Sequence, residues 1–176
     1  MHLSDLIHVY PEAVSADNCN DIIEAVNSIP NAGKLYDNDL YKFEQVNINQ
    51  TIPELANEFA SVVAGYATNY FKTLGVDRYI GLQSFEEVRV KKYIKGDGEF
   101  RPHIDVDNLD SAKRYLVAIL YLNDNNGVTD FPALGLSVPP KAGTLVMFPP
   151  MWMFPHSGTR PTDRDKYIMM TSLTYV

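Results

Sequence analysis

The histidine and aspartate of the segment Arg101–Asp105 (RPHID) are the residues of this sequence best suited to metal chemistry. His103 and Asp105 lie two residues apart. Residues i and i+2 of a strand point to the same face, so both side chains can reach one ion. His156, in the later segment Phe154–Gly158 (FPHSG), supplies a second imidazole. Two neutral imidazoles and one carboxylate form a facial donor set that suits ferrous iron and leaves positions open for ligands.

Lys166 adds a cation to this candidate site. It follows His156 by ten residues, and a fixed cation near the metal suits a dicarboxylate whose other end chelates the iron. Each residue alone also has an ordinary explanation: an H-x-D sequence arises by chance in many chains, His156 fits a loop or edge strand, and Lys166 fits a solvated surface. The setting favours the site, because two of the four histidines lie at opposite ends of a strand-rich region that a barrel could close.

The composition indicates one globular domain and argues against several classes of partner. The chain has 176 residues, of which 45% are hydrophobic, so residues 1–176 are expected to form a single domain with one core. The net charge is −7 and no run of lysine and arginine stands out, so no nucleic-acid partner is expected. No apolar run approaches the length that spans a membrane, so no membrane partner is expected either.

Cysteine usage indicates the cellular compartment. Cys19 is the only cysteine, which excludes an intramolecular disulfide and fits a reducing cytoplasm. The segment Met1–Tyr10 (MHLSDLIHVY) has no positively charged start and no long apolar centre, so it is not expected to be a secretory signal. We therefore predict a cytoplasmic protein, and ferrous iron would also be easiest to keep reduced there.

Two helices are predicted to support the site from the N-terminal side. Ser15 is a candidate N-cap for a first helix that ends by Pro30. Thr51 and Glu54 have the spacing of a capping box. They precede a stripe of aromatic and aliphatic residues at helical spacing that continues to Gly75. Both apolar stripes are expected to pack against a sheet.

The rest of the sequence has the pattern of short strands separated by turns. Arg114–Leu122 is almost continuously apolar, as expected for a strand with both faces buried. A strand is predicted within Ser84–Tyr93, which alternates in its second half, Val88–Tyr93. Further strands are predicted at Thr129–Phe131, Leu136–Val138, Thr144–Phe148 and Lys166–Tyr175. We therefore predict an α+β fold with a double-stranded β-helix (jelly roll) core and an N-terminal helical layer packed on the major sheet. Residues 1–80 are the mainly helical support, and residues 81–176 are the jelly-roll catalytic core.

A series of motifs follows in a fixed order from Tyr93 to Lys166. It consists of Tyr93–Gly96 (YIKG), Phe100–Asp105 (FRPHID), Arg114–Asn123 (RYLVAILYLN), Gly127–Pro132 (GVTDFP), Pro140–Phe148 (PKAGTLVMF), Pro155–Gly158 (PHSG) and Lys166. Taken together, the series resembles the catalytic core of the prolyl 4-hydroxylase-like Fe(II)/2-oxoglutarate-dependent dioxygenases. The resemblance covers the region from Tyr93 to Val176, which is roughly half of the chain.

The resemblance implies roles for individual residues. His103, Asp105 and His156 correspond to the iron ligands of the family and therefore to its catalytic centre. Lys166 corresponds to the basic residue that binds the distal carboxylate of 2-oxoglutarate. Tyr93 corresponds to a tyrosine that hydrogen-bonds the co-substrate, although without the resemblance it would read as a half-buried aromatic residue of a strand.

Two further residues are candidates for substrate binding. Arg114 corresponds to an arginine that contacts substrate in some prolyl hydroxylases, and its alternative is a simple charge at the rim of the barrel. Trp152, within Pro149–Pro155 (PPMWMFP), could line the mouth as an aromatic platform for a peptide, or it could cover the core. Gly143 corresponds to the glycine of a P-x-x-G turn in the family.

The resemblance also implies an activity. It is the hydroxylation of a C–H bond, for which the leading candidate is a prolyl residue in a peptide or protein, coupled to decarboxylation of 2-oxoglutarate to succinate and CO2. Fe(II), 2-oxoglutarate and O2 are the expected cofactor and co-substrates, and ascorbate is a further candidate.

Prolyl hydroxylases commonly carry a tyrosine where this chain has Phe100, and the loop Val106–Lys113 is short. Both features leave a second hypothesis open, in which the substrate is a free amino acid, another side chain or a small metabolite. A third hypothesis is a non-catalytic jelly-roll binding module. The joint presence of Tyr93 and Lys166 argues against it.

Overall fold

Helices dominate the N-terminal part of the chain, and strands form most of the remainder. The computed structural model describes residues 2–31 and 33–176. The helices are α1 (Ala16–Asn27), α2 (Ile48–Thr51) and α3 (Pro53–Leu74), with short 3-10 turns at Leu3–Leu6 and Pro132–Leu134. The strands are β1 (His8–Tyr10), β2 (Lys34–Asp37), β3 (Tyr41–Asn47), β4 (Ser84–Phe85), β5 (Arg89–Tyr93), β6 (Glu99–His103), β7 (Arg114–Tyr121), β8 (Thr129–Phe131), β9 (Leu136–Val138), β10 (Leu145–Phe148), β11 (His156–Gly158) and β12 (Lys166–Thr174).

The strands form one curled antiparallel sheet that folds back on itself. Its order is β1-β10-β7-β12-β5-β3-β6-β11-β8-β9, with β2 added to β3 and β4 added to β12. Strand β3 pairs with β5 through Glu44–Asn47 and with β6 through Tyr41 and Lys42, so it passes from one layer to the other. The major sheet consists of β1, β10, β7, β12, β5 and β3, in that spatial order. The minor sheet consists of β6, β11, β8 and β9. This double-stranded β-helix confirms the predicted fold class.

The central strand β7 separates two apolar clusters. Leu116, Ala118 and Leu120 face a core shared with the helices. The alternate residues, among them Val117 and Ile119, face a second core inside the barrel. Because successive side chains of a strand point to opposite faces, both faces of β7 are buried. This explains the continuous apolar run in the sequence and confirms the prediction made from it.

The helical layer packs on the outer face of the major sheet, as predicted. Phe59 and Val63 of α3 are four residues apart, so they lie on one face of the helix. They belong to the same apolar core as Leu120 and Met169 of the sheet. Helix α1 contributes Cys19 and its neighbours to this core. The helices thus cover the side of the barrel wall opposite to the interior.

The predicted start of the first helix is confirmed, and that of the second is wrong. Ser15 caps α1 by accepting a hydrogen bond from the Asn18 backbone N–H at 3.2 Å. Thr51 does not cap α3, because it lies in the preceding turn α2 and its hydroxyl donates to the Asn47 carbonyl at 3.0 Å. Helix α3 instead begins at Pro53 without a side-chain cap. Proline suits the first helical position, because its φ is fixed near the helical value and the N–H that it lacks would have no partner within the helix.

Strands β1 to β3 lie in the region that the sequence predicts as mainly helical. Their burial explains why the pattern missed them. Strand β3 buries only Phe43 and Val46, which are three residues apart and give no period-two alternation. Strand β2 is largely exposed, and β1 has three residues at the edge of the sheet.

Cys19 is fully buried under helix α1. Its thiol lies 3.9 Å from the carbonyl oxygen of Tyr121, and burial raises the pKa of the thiol. None of the described helices combines the length and the apolar character that crossing a membrane requires.

The turn at Gly143 generates a prediction about stability. Its φ is +79°, and a Cβ atom there would overlap the backbone oxygen of Val14. Gly143→Ala is therefore expected to lower the free energy of unfolding by roughly 2–4 kcal/mol, because left-handed strain adds to a steric clash. Urea denaturation measures this change. Gly135→Ala is the matched control, since Gly135 has a φ of +62° with no atom close to the added Cβ, and it should lose only about 1 kcal/mol. Equal losses would contradict the role given to the contact with Val14.

Candidate active site

Strand pairing brings the two distant histidines of the candidate site together. In the antiparallel pair of β6 and β11, His103 lies directly opposite His156. Their ring centroids are 4.3 Å apart. Strand β6 ends at His103, and the chain then bends, so that Asp105 lies beside both rings. One ligand atom from each of the three side chains lies within 4.8 Å of the others.

Backbone carbonyls set the orientation of both imidazoles. Nδ1 of His103 lies 2.8 Å from the Arg101 carbonyl oxygen, and Nδ1 of His156 lies 3.1 Å from that of Phe154. With Nδ1–H as the donor in each bond, the Nε2 lone pairs are free to bind a metal. Each Nε2 lies 3.6 Å from an oxygen of the Asp105 carboxylate. The three ligand atoms therefore converge on one point.

The charge states of these groups fit a divalent metal ion. Burial raises the pKa of Asp105, but the two neighbouring imidazole rings, His103 first and then His156, outweigh this and hold the pKa at about 2. Burial lowers the pKa of His156. The carboxylate is therefore ionised and the imidazole is neutral at physiological pH, as metal ligation requires. One oxygen of Asp105, Oδ2, is buried without a hydrogen-bond partner among the described residues. Such an atom destabilises the fold unless a cation pairs with it.

Lys166 is a buried cation on the same interior surface. It opens β12, opposite Tyr93 of β5, and is only 2% exposed. Its ammonium donates a hydrogen bond to the Gly127 carbonyl at 2.6 Å and lies 5.5 Å and 5.7 Å from the ring centroids of Tyr93 and Tyr121. Burial lowers the pKa of Lys166 to about 7. No carboxylate in the described part of the chain pairs with it, so an anionic ligand fits here.

One cavity connects Lys166 to the metal-ligating side chains. Its wall includes Tyr93, Lys166 and all three of the candidate ligands. The cavity is narrow, with a volume of about 30 Å³. A larger groove of about 630 Å³ lies between α1 and α3. It is remote from these residues, and we place the chemistry in the smaller cavity because the ligating groups converge there.

Arg114 lies next to the candidate metal centre. Its Nε donates to Oε1 of Glu86 at 2.9 Å, and its Nη1 donates to the backbone carbonyl of Asp105 at 2.8 Å. The guanidinium therefore fixes the backbone of a candidate ligand while its side chain remains 23% exposed. This arrangement is compatible with both readings of Arg114, a contact to substrate and a charge at the rim.

Trp152 lies on an exposed loop beside the same centre. Its loop, residues 149–155, joins β10 to β11, and the Pro150 carbonyl accepts a hydrogen bond from the Val106 N–H at 3.2 Å. The loop is thereby attached to the segment that follows Asp105. Trp152 is 75% exposed, so it does not cover the core.

Lys91 was not singled out by the sequence analysis, although it lines the cavity. It precedes Tyr93 by two residues in β5, so both side chains point to the interior face. The alternation in Val88–Tyr93 (VRVKKY) was the available signal. Once Tyr93 is placed inside, the pattern places Lys91 inside and Lys92 outside.

Comparisons with known proteins agree with this geometry. The model of the 2OG-Fe(II) oxygenase superfamily matches residues 88–173. A search of curated proteins finds no match. Among solved structures, the chain is similar to a viral collagen prolyl hydroxylase of Paramecium Bursaria Chlorella virus-1 in complex with 2OG. That similarity has 22% identity and a TM-score of 0.66, and it covers 97% of each chain.

Two cellular enzymes share the fold. A Pseudomonas putida prolyl-4-hydroxylase has 19% identity and a TM-score of 0.71, covering 97% of this chain and 93% of that one. A Trichoplax adhaerens prolyl hydroxylase, solved with a peptide fragment of the hypoxia inducible factor oxygen degradation domain, has 13% identity and a TM-score of 0.76. Here the coverage is 97% of this chain and 84% of that one.

Residues 88–173 are therefore a 2OG-Fe(II) oxygenase domain, in which the histidines and the aspartate converge. The chain is an Fe(II)/2-oxoglutarate-dependent dioxygenase with a prolyl 4-hydroxylase-like fold. Its cofactor is Fe(II), and its co-substrates are 2-oxoglutarate and O2. When bound, they supply oxidation of a C–H bond coupled to the conversion of 2-oxoglutarate into succinate and CO2.

Removal of the charge of Asp105 tests the metal centre. Asp105→Asn is expected to weaken binding of Mn(II), used in place of Fe(II), on the order of 100-fold or more, because a neutral amide replaces the only carboxylate among the three ligands. Calorimetric titration measures the affinity. Asp110→Asn is the control, since it removes an exposed carboxylate of the next loop and should leave the affinity unchanged. Binding of Mn(II) to Asp105→Asn with the affinity of the wild type would place the metal elsewhere.

Proposed function

We propose that this dioxygenase hydroxylates a prolyl residue in a peptide or protein. In this proposal, His103, Asp105 and His156 hold the iron, Lys166 binds the distal carboxylate of 2-oxoglutarate, and Tyr93 hydrogen-bonds the co-substrate. The observation that carries the proposal is the convergence of all five side chains on one cavity. The similarity to prolyl hydroxylases over nearly the whole chain supports the choice of proline.

The co-substrate part of the proposal follows from two buried polar groups. The ammonium of Lys166 is a compact charge, so it makes one strong, charge-assisted contact with a carboxylate. Burial raises the pKa of Tyr93, which keeps its hydroxyl protonated and able to donate a hydrogen bond. Lys166 and Tyr93 lie opposite each other on paired strands, so one end of a small diacid can reach both.

The chain also excludes water from the site. Ile119, Ile168 and Met170 contribute apolar surface to the cavity wall. A dry wall strengthens the electrostatic contacts made inside it and protects reactive groups from water. We therefore propose that these apolar side chains hold the co-substrate in one orientation and keep solvent away from the metal.

The substrate part of the proposal rests on exposed apolar side chains of the loop that follows Asp105 and of the loop that precedes His156. Trp152 is 75% exposed and Leu109 is 93% exposed. They lie on two loops that are joined by the hydrogen bond between Val106 and Pro150. Exposed apolar groups next to a catalytic cavity favour a protein or peptide ligand, and extended proline-containing segments dock well on aromatic surfaces. Arg114 adds a cation at the same edge, where a substrate carbonyl or carboxylate can reach it.

A non-prolyl substrate is the second candidate, and Phe100 favours it. The Phe100 ring lies flat on the His103 ring, with centroids 3.5 Å apart and an interplanar angle of 3°. It therefore presents no hydroxyl to a peptide beside the metal. A free amino acid, another side chain or a small metabolite would not require that hydroxyl.

Two further parts of the proposal concern the whole chain. We infer that residues 1–176 act as one domain, because α1 and α3 share their apolar core with the major sheet. We also infer a cytoplasmic location. The single cysteine and the need to keep iron in the ferrous state support it.

The pKa of Lys166 generates a prediction about pH. Burial lowers this pKa to about 7, so the ammonium is charged below pH 7 and progressively neutral above it. Binding of the dianion above pH 7 must then take up a proton, and the affinity for 2-oxoglutarate should fall by up to about tenfold per pH unit. Calorimetric titrations of the Mn(II) protein between about pH 6 and pH 8 measure this. Lys166→Met should bind 2-oxoglutarate weakly, with an affinity that does not change with pH in this range. The variant should unfold at the same temperature as the wild type or higher, since it no longer buries an amine. The same pH dependence in Lys166→Met would refute the assignment.

A peptide screen tests the substrate. We expect a proline-containing peptide to gain the mass of one oxygen atom while an equal amount of succinate forms, and the same peptide with alanine for proline to remain unchanged. Mass spectrometry measures both products. Trp152→Ala should raise the KM for the peptide about tenfold, the effect of losing one aromatic contact, and leave the KM for 2-oxoglutarate unchanged. Succinate formation with a small metabolite, but with none of the peptides, would favour the second candidate.

A further inference from the structure

A second buried lysine, Lys91, faces the interior of the site. Lys91 is 8% exposed and lines the same cavity as Lys166 and the three candidate metal ligands. The neighbouring Lys92 points the other way, where its ammonium lies 3.5 Å from the carboxylate of Asp165. The two lysines therefore point to opposite faces of the sheet although they are adjacent in sequence.

The ammonium of Lys91 has no acceptor from the protein. Within residues 2–31 and 33–176, no hydrogen bond or ion pair to it is found. It lies instead over two aromatic rings, 4.3 Å from the centroid of Phe43 and 5.3 Å from that of Phe100. Burial lowers the pKa of Lys91 to about 8, and the charge of Asp105 opposes this effect. Burying an unpaired ammonium destabilises a fold, and an anionic ligand in the cavity would offset that loss.

The position of Lys91 relative to Lys166 indicates which anion it would meet. In the pairing of β5 with β12, Tyr93 lies opposite Lys166 and Lys91 lies opposite Ile168. Lys91 is thus two residues further along the barrel wall, which corresponds to roughly 7 Å. This spacing is comparable to the length of a five-carbon diacid.

Lys91 also lies at the metal end of the cavity. The Phe100 ring beneath its ammonium is stacked on the ring of His103. The charge of Lys91 acts on the pKa values of both Asp105 and His156. Lys166 lies two residues away along the wall, opposite Tyr93.

We propose that Lys91 binds the carboxylate of 2-oxoglutarate that lies next to the iron, so that a lysine holds each end of the co-substrate. This inference rests on the proposed function of the same cavity. A carboxylate of a large substrate is a poorer match, because Lys91 is only 8% exposed and is within reach only of a ligand that enters the cavity. The consequence is a site that recognises the oxo-acid end of the co-substrate through the protein as well as through the metal.

Two keto acids separate the contributions of the two lysines. 2-Oxoglutarate has a carboxylate at each end, whereas 2-oxobutyrate has only the one next to the keto group. Lys91→Met should weaken binding of both compounds to the Mn(II) protein by about tenfold or more, the effect of losing one charge-assisted hydrogen bond. Lys166→Met should weaken binding of 2-oxoglutarate alone. Calorimetric titration measures all four affinities. Lys92→Met is the matched control, and it should bind both keto acids with the affinity of the wild type.

Thermal unfolding and Mn(II) affinity show whether each variant is intact. Lys91→Met keeps the length of the side chain and removes a buried charge, so it should unfold at the temperature of the wild type or higher. Unchanged binding of both keto acids to folded Lys91→Met would overturn the inference. So would a raised KM for a carboxylate-bearing substrate as its only effect. A wild-type protein that binds no 2-oxoglutarate would instead overturn the proposed function, and the inference with it.

Discussion

The antiparallel pairing of β6 with β11 is the constraint on which the candidate site depends. It places His103 opposite His156 and leaves Asp105 in the bend that follows β6. The position of Lys166, the residue proposed to bind the co-substrate, depends in turn on the pairing of β12 with β5. Since β3 pairs with both β5 and β6, it ties these two ladders together. The position of the three candidate metal ligands relative to Lys166 is therefore fixed by backbone hydrogen bonds across the barrel.

The interior of the barrel contains charges that a stable fold would otherwise avoid. Lys91, Lys166 and Asp105 all line the cavity, and one Asp105 oxygen has no hydrogen-bond partner in the described regions. Burial lowers the pKa of each lysine, a sign that its charged form is destabilised there. A divalent cation and a dianion bound in this cavity would supply the opposite charges, and their binding would then also stabilise the folded state. The two apolar cores of the fold, one on each side of the major sheet, provide the stability that offsets these buried charges.

The sequence was sufficient to predict the elements whose patterns are strong. The continuous apolar run of β7 reflects burial on both faces, and Ser15 caps α1 as its type and position predict. Strand β3 could not be found in this way, because its buried residues are set by two different partner strands and show no simple period. The three candidate ligands were identified by type and order, but their convergence required the register between β6 and β11. Lys91 was missed because a lysine inside a barrel contradicts its usual exposure.

The position of Cys19 has a consequence for an enzyme that combines iron with O2. Reactive oxygen by-products of such chemistry attack thiolates at accessible sites. Here the single thiol lies on the opposite side of the barrel wall from the cavity, fully buried, and its raised pKa keeps it protonated. The protein should therefore tolerate its own oxidising turnover without thiol damage. A cysteine introduced on the surface would be the one site open to thiol-directed labels.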